Sequence, residues 1–237
     1  MKKRVKHVEF YVGLIAASAV FLVVEHLTHW EFLLHLAAIP LEILAAVFIV
    51  ERFLERRENK EKRQQLMYIK SYMFRSEMRN LFIANFGALK HPAVDMRKLR
   101  SAALEELKEY RRQAESVEYV SPEAMEPVIK EYVKAEPVWH AFKERAITYN
   151  FESIFHDMIY ILHFACDVKI FKEKFPHRLF IHEAAKSENL MRRTLKVLTD
   201  GIKAFLDYAI ELREKEPEMF DEMMADYALS IRIRDAT

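Results

Sequence analysis

Residues 31–57, EFLLHLAAIPLEILAAVFIVERFLERR, constrain this chain more than any other stretch, because a long apolar helical run there carries one acid, Glu42, near its middle. A run of roughly 18 or more residues with so little charge matches the hydrocarbon thickness of a bilayer. An ionisable side chain at that depth costs roughly 2.5 to 3.5 kcal/mol on insertion, so it faces protein or water rather than lipid. Glu42 therefore needs company. Helical spacing puts His35, Ala38, Glu42, Ala45 and Ala46 on one side, while Leu33, Leu41, Leu44, Phe48 and Val50 cover much of the remainder. Pro40 cannot donate to the carbonyl one turn earlier, which is left to water, a side chain or a local kink. Glu42 is then a protonated acid bonded to the neighbouring helix, with Ser18 as the candidate partner, one of a ring of acids along a cation path in a homo-oligomer, or a proton relay.

The chain opens with Lys2, Lys3, Arg4 and Lys6, followed by an apolar run from Phe10 to Val24, and no further lysine or arginine occurs until Arg52. This pattern resembles an uncleaved signal anchor, since the small residues 16–19 lie inside the run rather than after it. The cations before the first run, and Arg52, Arg56 and Arg57 after the second, place both ends in the cytoplasm of a cell with an inner membrane. Residues 1–57 are thus expected to form a transmembrane hairpin with spans at about 8–28 and 32–51. Gly13 and Ala17 form a small-xxx-small pair that permits close helix approach. Between the runs, Trp30 suits an interfacial anchor, and His26 and His29 share a helical face that offers either a metal site or a wet, pH-sensitive tip.

Composition removes several function classes. Only three glycines occur, at 13, 87 and 201, so phosphate-cradling loops and dinucleotide fingerprints are absent. A formal charge of +1 does not signal a nucleic-acid binder. The lone Cys166 cannot form an internal disulfide, and with His163 as the only nearby base it reads as a structural thiol.

Residues 58–90 read as a charged stalk helix that leaves the membrane and continues into the soluble domain, where Leu66, Ile69, Met73, Leu81 and Phe82 supply an apolar stripe. Movement of that domain would reach Glu42 along this helix. Residues 91–237 are expected to fold as a cytosolic α-helical bundle. Its segments are a helix over 95–114, one from the Ser121-Pro122 cap towards 135, a central helix started by Pro137 and running over 139–171, a long helix over 183–214 and a last one over 218–231.

The segment 139–171 carries an apolar face and, beside it, a polar line of Glu152, His156, Tyr160, His163 and Asp167. Helix bundles build divalent-metal sites from inward carboxylates and histidines, usually as Glu-x-x-His pairs on two helices. Here the spacing is Glu-x-x-x-His and no second pair complements it, although His177, His182 and Glu183 follow the Pro176 break. The alternative is a hydrogen-bonded or solvent-facing stripe. A membrane hairpin joined to a helical domain resembles some prokaryotic defence effectors in layout. The arginine-histidine spacing of helical nucleases is not met by Arg178 and His182 or by Arg145 and His156, so no residue role carries over.

The expectation is an all-α, two-pass membrane protein: hairpin, charged stalk and cytosolic bundle. The second spans would line a cation- or proton-permeable pore in a homo-oligomer, with Glu42 as selective acid, His35 above it and the bundle as gate or sensor, open to a cytosolic protein partner. The alternatives are a non-conducting membrane-tethered assembly module and, third, a metal-binding bundle enzyme.

Overall fold

The computed structural model describes the backbone of residues 2–28, 30–149 and 151–236, and the side chains of these residues other than 2–10, 25, 31, 34, 41, 51, 55, 59 and 63. Helix accounts for 85% and strand for 2%, so the chain is all-α, as its periodicity requires. It divides into two compact units, Met1–Gln65 and Leu66–Thr237.

The first unit holds α1 (Lys2–Thr28) and most of α2 (Glu31–Tyr72). Their described side chains sort by helical period. On α1, Tyr11, Leu14, Ala17, Ser18 and Phe21 are at least partly buried; on α2, Leu33, Leu36, Ala37, Pro40, Leu44 and Val47 are. Steps of three and four residues in both lists define one seam per helix. Ser18 and Ala37, each 3% exposed, meet at its centre, where Ser18 Oγ donates to the Ala37 carbonyl at 2.6 Å. Pro40 has no N–H for the turn before it, and the extra donor arrives at that loosened turn. By length and composition, α1 over Tyr11–Thr28 is able to cross a membrane, with a mean hydropathy of 1.7. It is the one such helix among the described residues, so the expectation of two spans is met at one.

The second unit begins with the end of α2 and one turn of π-helix, Met73–Glu77, which leads into α3 (Arg79–Gly87). There follow β1 (Leu89–His91), α4 (Met96–Ser101), α5 (Leu104–Gln113), β2 (Glu118–Tyr119), α6 (Met125–Lys134), α7 (Glu136–Thr148), α8 (Glu152–Lys174), α9 (Phe180–Ala184), α10 (Glu188–Lys215) and α11 (Pro217–Asp235). β1 and β2 pair antiparallel, Leu89 opposite Tyr119. Asp95 caps α4 by accepting from Lys98 N at 2.8 Å, and Ser187 caps α10 by accepting from Leu190 N. Pro137 and Pro217 sit in the first turns of α7 and α11, where a missing N–H costs nothing.

Three expectations change here. The single helix over 139–171 is two, α7 ending at Thr148 and α8 starting at Glu152. The helix over 95–114 is two helices, because Ala102 and Ala103 are extended (ψ 133° and 163°) and Glu106 reaches back to the Ala103 N–H to start α5. The bundle's centre is α10 rather than the helix within 139–171. Val197, Leu198, Ile202, Phe205, Leu206, Tyr208, Ala209 and Leu212 on α10 are all buried, whereas α8 leaves Cys166, Lys169 and Ile170 exposed. Phe205 packs among Phe74, Phe82, Phe86 and Tyr227 with ring centroids 4.9 to 5.9 Å away.

Buried polar groups tie this core together. Asn85 donates to the Leu198 carbonyl and accepts from the Tyr119 hydroxyl, both at 3.0 Å, which fastens the short strand pair onto α3 and α10. Tyr132 donates to the Val197 carbonyl at 3.0 Å and stacks on Trp139, whose indole N–H donates to the Tyr132 carbonyl. That packing requires Gly201, since a Cβ there would lie 2.1 Å from Tyr132 Oη. Gly201→Ala should therefore lower unfolding stability by about 2 kcal/mol through overpacking. Gly87→Ala, with nothing near its Cβ, should stay within about 0.5 kcal/mol. Denaturant unfolding of the full chain reads both, and adding Tyr132→Phe to Gly201→Ala should recover part of the loss.

Candidate functional site

The side of α2 that carries the acid is decided by the seam. Pro40 and Leu44 face α1, and Glu42, two residues from each, is turned to the opposite side by 100° per residue. Glu42 and His35, seven residues apart on one stripe, are both exposed, with Ala45 and Ala46 exposed beside them and Ala38 partly so. Ser18 is occupied by the Ala37 carbonyl and does not partner Glu42. Around this stripe Phe32, Ile39, Ile43, Phe48, Ile49 and Val50 are 43 to 66% exposed. Pro40 is buried in the seam, so its part is to shape the turn that receives Ser18.

The small-residue pair on α1 is not used within this unit. Gly13 is exposed with nothing within 4 Å of an added Cβ, and Ala17 lies at the seam's edge. His26 is exposed, and His29 lies outside the described residues.

On α8 the polar line resolves into a rim. Glu152, His156 and His163 are exposed, and Asp167 accepts from the Arg193 guanidinium of α10. Arg193 and Lys196 lie 5.7 and 5.6 Å from the centroid of the Tyr160 ring. His182 is engaged by Glu123 at 3.1 Å; the Glu123 backbone N–H and His182 together hold that carboxyl below its usual range. No three His, Cys, Asp or Glu side chains are placed to hold a metal among the described residues, and Glu152, His156, His163 and Asp167 do not converge.

One functional-looking group was not legible in the sequence. Glu126 on α6 is 2% exposed, yet it sits in an ordinary-looking helix start. One oxygen accepts from Ile181 N at 3.1 Å, satisfying the first turn of α9. The other stands 2.6 Å from Lys172 Nζ as an ion pair rather than an aligned hydrogen bond, and Lys172 also donates to the Arg178 carbonyl at 2.7 Å. The carboxylate thus pins α6, α8 and α9 together.

Beside it lies a groove of about 550 Å³ with Lys130, Lys134, Lys169 and Lys172 in its wall. Glu131, Glu136 and Glu126 pair with the last three, and Glu173 lines the wall, so the charges balance. The groove has no excess field to draw an anion.

No protein-family model, no curated protein and no solved structure matches this chain.

Replacing Glu126 by Ala should leave Lys172 unpaired and the α9 turn uncapped, at a cost of about 3 kcal/mol. Glu126→Gln, which keeps an acceptor for Ile181, should lose less. Urea titration of the two variants against wild type orders them, and equal losses would contradict the capping role.

Proposed function

We propose that this chain is a two-pass protein of the cell inner membrane, both ends cytoplasmic, which self-associates through the His35–Glu42 stripe of α2. In the assembly the second spans line a cation- or proton-permeable path, with Glu42 as the selective acid, and the helical unit 66–237 acts as gate or sensor.

The observation that carries this reading is the outward placement of Glu42 on an otherwise apolar, exposed helix. Residues 32–50 contain Glu42 as their one charged residue, which suits a second span beside α1. Exposed apolar surface on this scale along both helices is covered by lipid or by sister chains. Lipid is costly for a carboxyl group, and the described side chains of α1 face the other side of α2, so a second copy is the economical enclosure. Small residues at 38, 45 and 46 let that copy approach closely.

A second reading, a non-conducting tethered assembly module, is favoured by the exposed Gly13 and Ala16 on α1, which support self-association without a wet Glu42. Flux measurements on the full chain in proteoliposomes separate the two. The pore reading expects cation or proton flux from wild type, reduced about tenfold in Glu42→Gln, as for loss of roughly 1.4 kcal/mol of cation stabilisation. Oligomeric wild-type protein that passes neither, or a Glu42→Gln variant with unchanged flux and selectivity, contradicts the pore and leaves the module.

A further inference from the structure

The helical run from Glu31 to Gly87 is interrupted once, by the π-turn Met73–Glu77. No proline or glycine explains it. A π-turn holds one residue more than an α-turn, and such bulges concentrate at functional positions. Here Met78 N reaches back five residues to the Met73 carbonyl at 3.0 Å. The Phe74 carbonyl, which an α-turn would pair with that N–H, instead accepts the buried Tyr227 hydroxyl of α11 at 2.7 Å. The Arg75 carbonyl accepts from the Arg79 guanidinium, with Nε at 2.8 Å.

The same two arginines grip one stripe of α11. Arg75 Nε donates to Asp226 at 3.0 Å and its Nη1 to Glu222 at 2.9 Å, while Arg79 Nη1 donates to Ser230 Oγ at 2.8 Å. Residues 222, 226 and 230 repeat every four positions, so one face of α11 receives the whole clamp. The arrangement also leaves a polar group poorly satisfied. Tyr208 stacks on Phe74 with centroids 4.9 Å apart, and its buried hydroxyl lies near the Ser71 side chain without an aligned hydrogen bond. A buried hydroxyl without an aligned partner favours any alternative register that supplies one.

We propose that Met73–Glu77 is a register switch latched by α11: when the Arg75 and Tyr227 contacts release, the turn closes to α and the Leu66–Tyr72 end of α2 slides and rotates against α3. Loss of one residue from the turn rotates the upstream helix by about 100° and shifts it by about 1.5 Å along its axis. Two discrete registers, rather than a continuous bend, give the element its switch character. The consequence for Glu42, on the same helix, rests on the membrane reading above; the switch itself does not.

Spin-label distances in the full chain in lipid nanodiscs test it without any need for conduction. One label goes on the native, exposed Cys166 of α8 and the other on Tyr68→Cys or, in a second preparation, Lys70→Cys. Positions 68 and 70 lie about 200° apart around α2, so a rotation moves them differently while a general loosening broadens both alike. Wild type should show one dominant distance per pair. Arg75→Gln and Tyr227→Phe should each add a second population, whereas deletion of Ser76, which removes the extra residue and leaves the flanking faces in their wild-type register as one α run, should keep the wild-type distance in both pairs. Wild-type distances in Arg75→Gln and Tyr227→Phe overturn the proposal whether or not the deletion variant folds. A folded deletion variant that shows the second distance in both pairs overturns it too.

Discussion

The hydrogen bond from Ser18 to the Ala37 carbonyl fixes which side of α2 lies against α1, and much else follows from that choice. It is short and buried, and it lies one residue along from the Leu36 carbonyl that Pro40 leaves without its helical donor. With Ala37, Pro40, Leu44 and Val47 turned inward, helical geometry sends His35 and Glu42 outward. The acid is thus turned away from the described side chains of α1. The self-association we propose would then follow from packing small residues and proline in the seam.

The second unit answers a different constraint. Its central helix α10 is surrounded on several sides, so its core face is wide and its buried carbonyls at Val197 and Leu198 are met by Tyr132 and Asn85. The aromatic cluster around Phe205 joins α3, the π-turn and α11 into one packed mass. Packing of this kind resists gradual deformation and favours discrete rearrangements. The π-turn is the one place in that mass where a helical run is held open by side chains from a neighbour.

Much of the fold was legible in the sequence because apolar residues recur at helical spacing and prolines and caps mark the starts. Pro137 and Asp95 signalled helix starts, and Pro217 the end of the long helix before it, and the structure retains all three. The division of 95–114 was missed, since Ala102 and Ala103 are good helix formers, and it is the burial of Ala102 and the Glu106 bond to the Ala103 N–H that separate the two helices. The strand pair was missed because its three- and two-residue strands owe their place to the buried Tyr119–Asn85 contact. The aromatic density of 139–171 drew attention to the wrong helix: α8 packs one side only, while the more charged α10 is the centre. The π-turn did leave a trace. Met73 and Met78 are both buried five residues apart, and the stripe Ile69, Met73, Phe74, Met78, Leu81 advances one residue too far for a 3.6 period. At the candidate site, the pairing of Glu42 and His35 on one stripe was visible from spacing. Their orientation away from Ser18 was not, because it depends on which of two small faces meets α1.

Cysteine cross-linking in the native membrane tests the orientation of α2 most directly. With Cys166→Ser as background, single cysteines are placed in turn at Leu36, Ala38, Leu44 and Ala45. The account predicts cross-linked pairs of chains from Ala38→Cys and Ala45→Cys, on the stripe of Glu42, and none from Leu36→Cys or Leu44→Cys, which face α1. Cross-links confined to the seam positions, or found at none of the four, would contradict it.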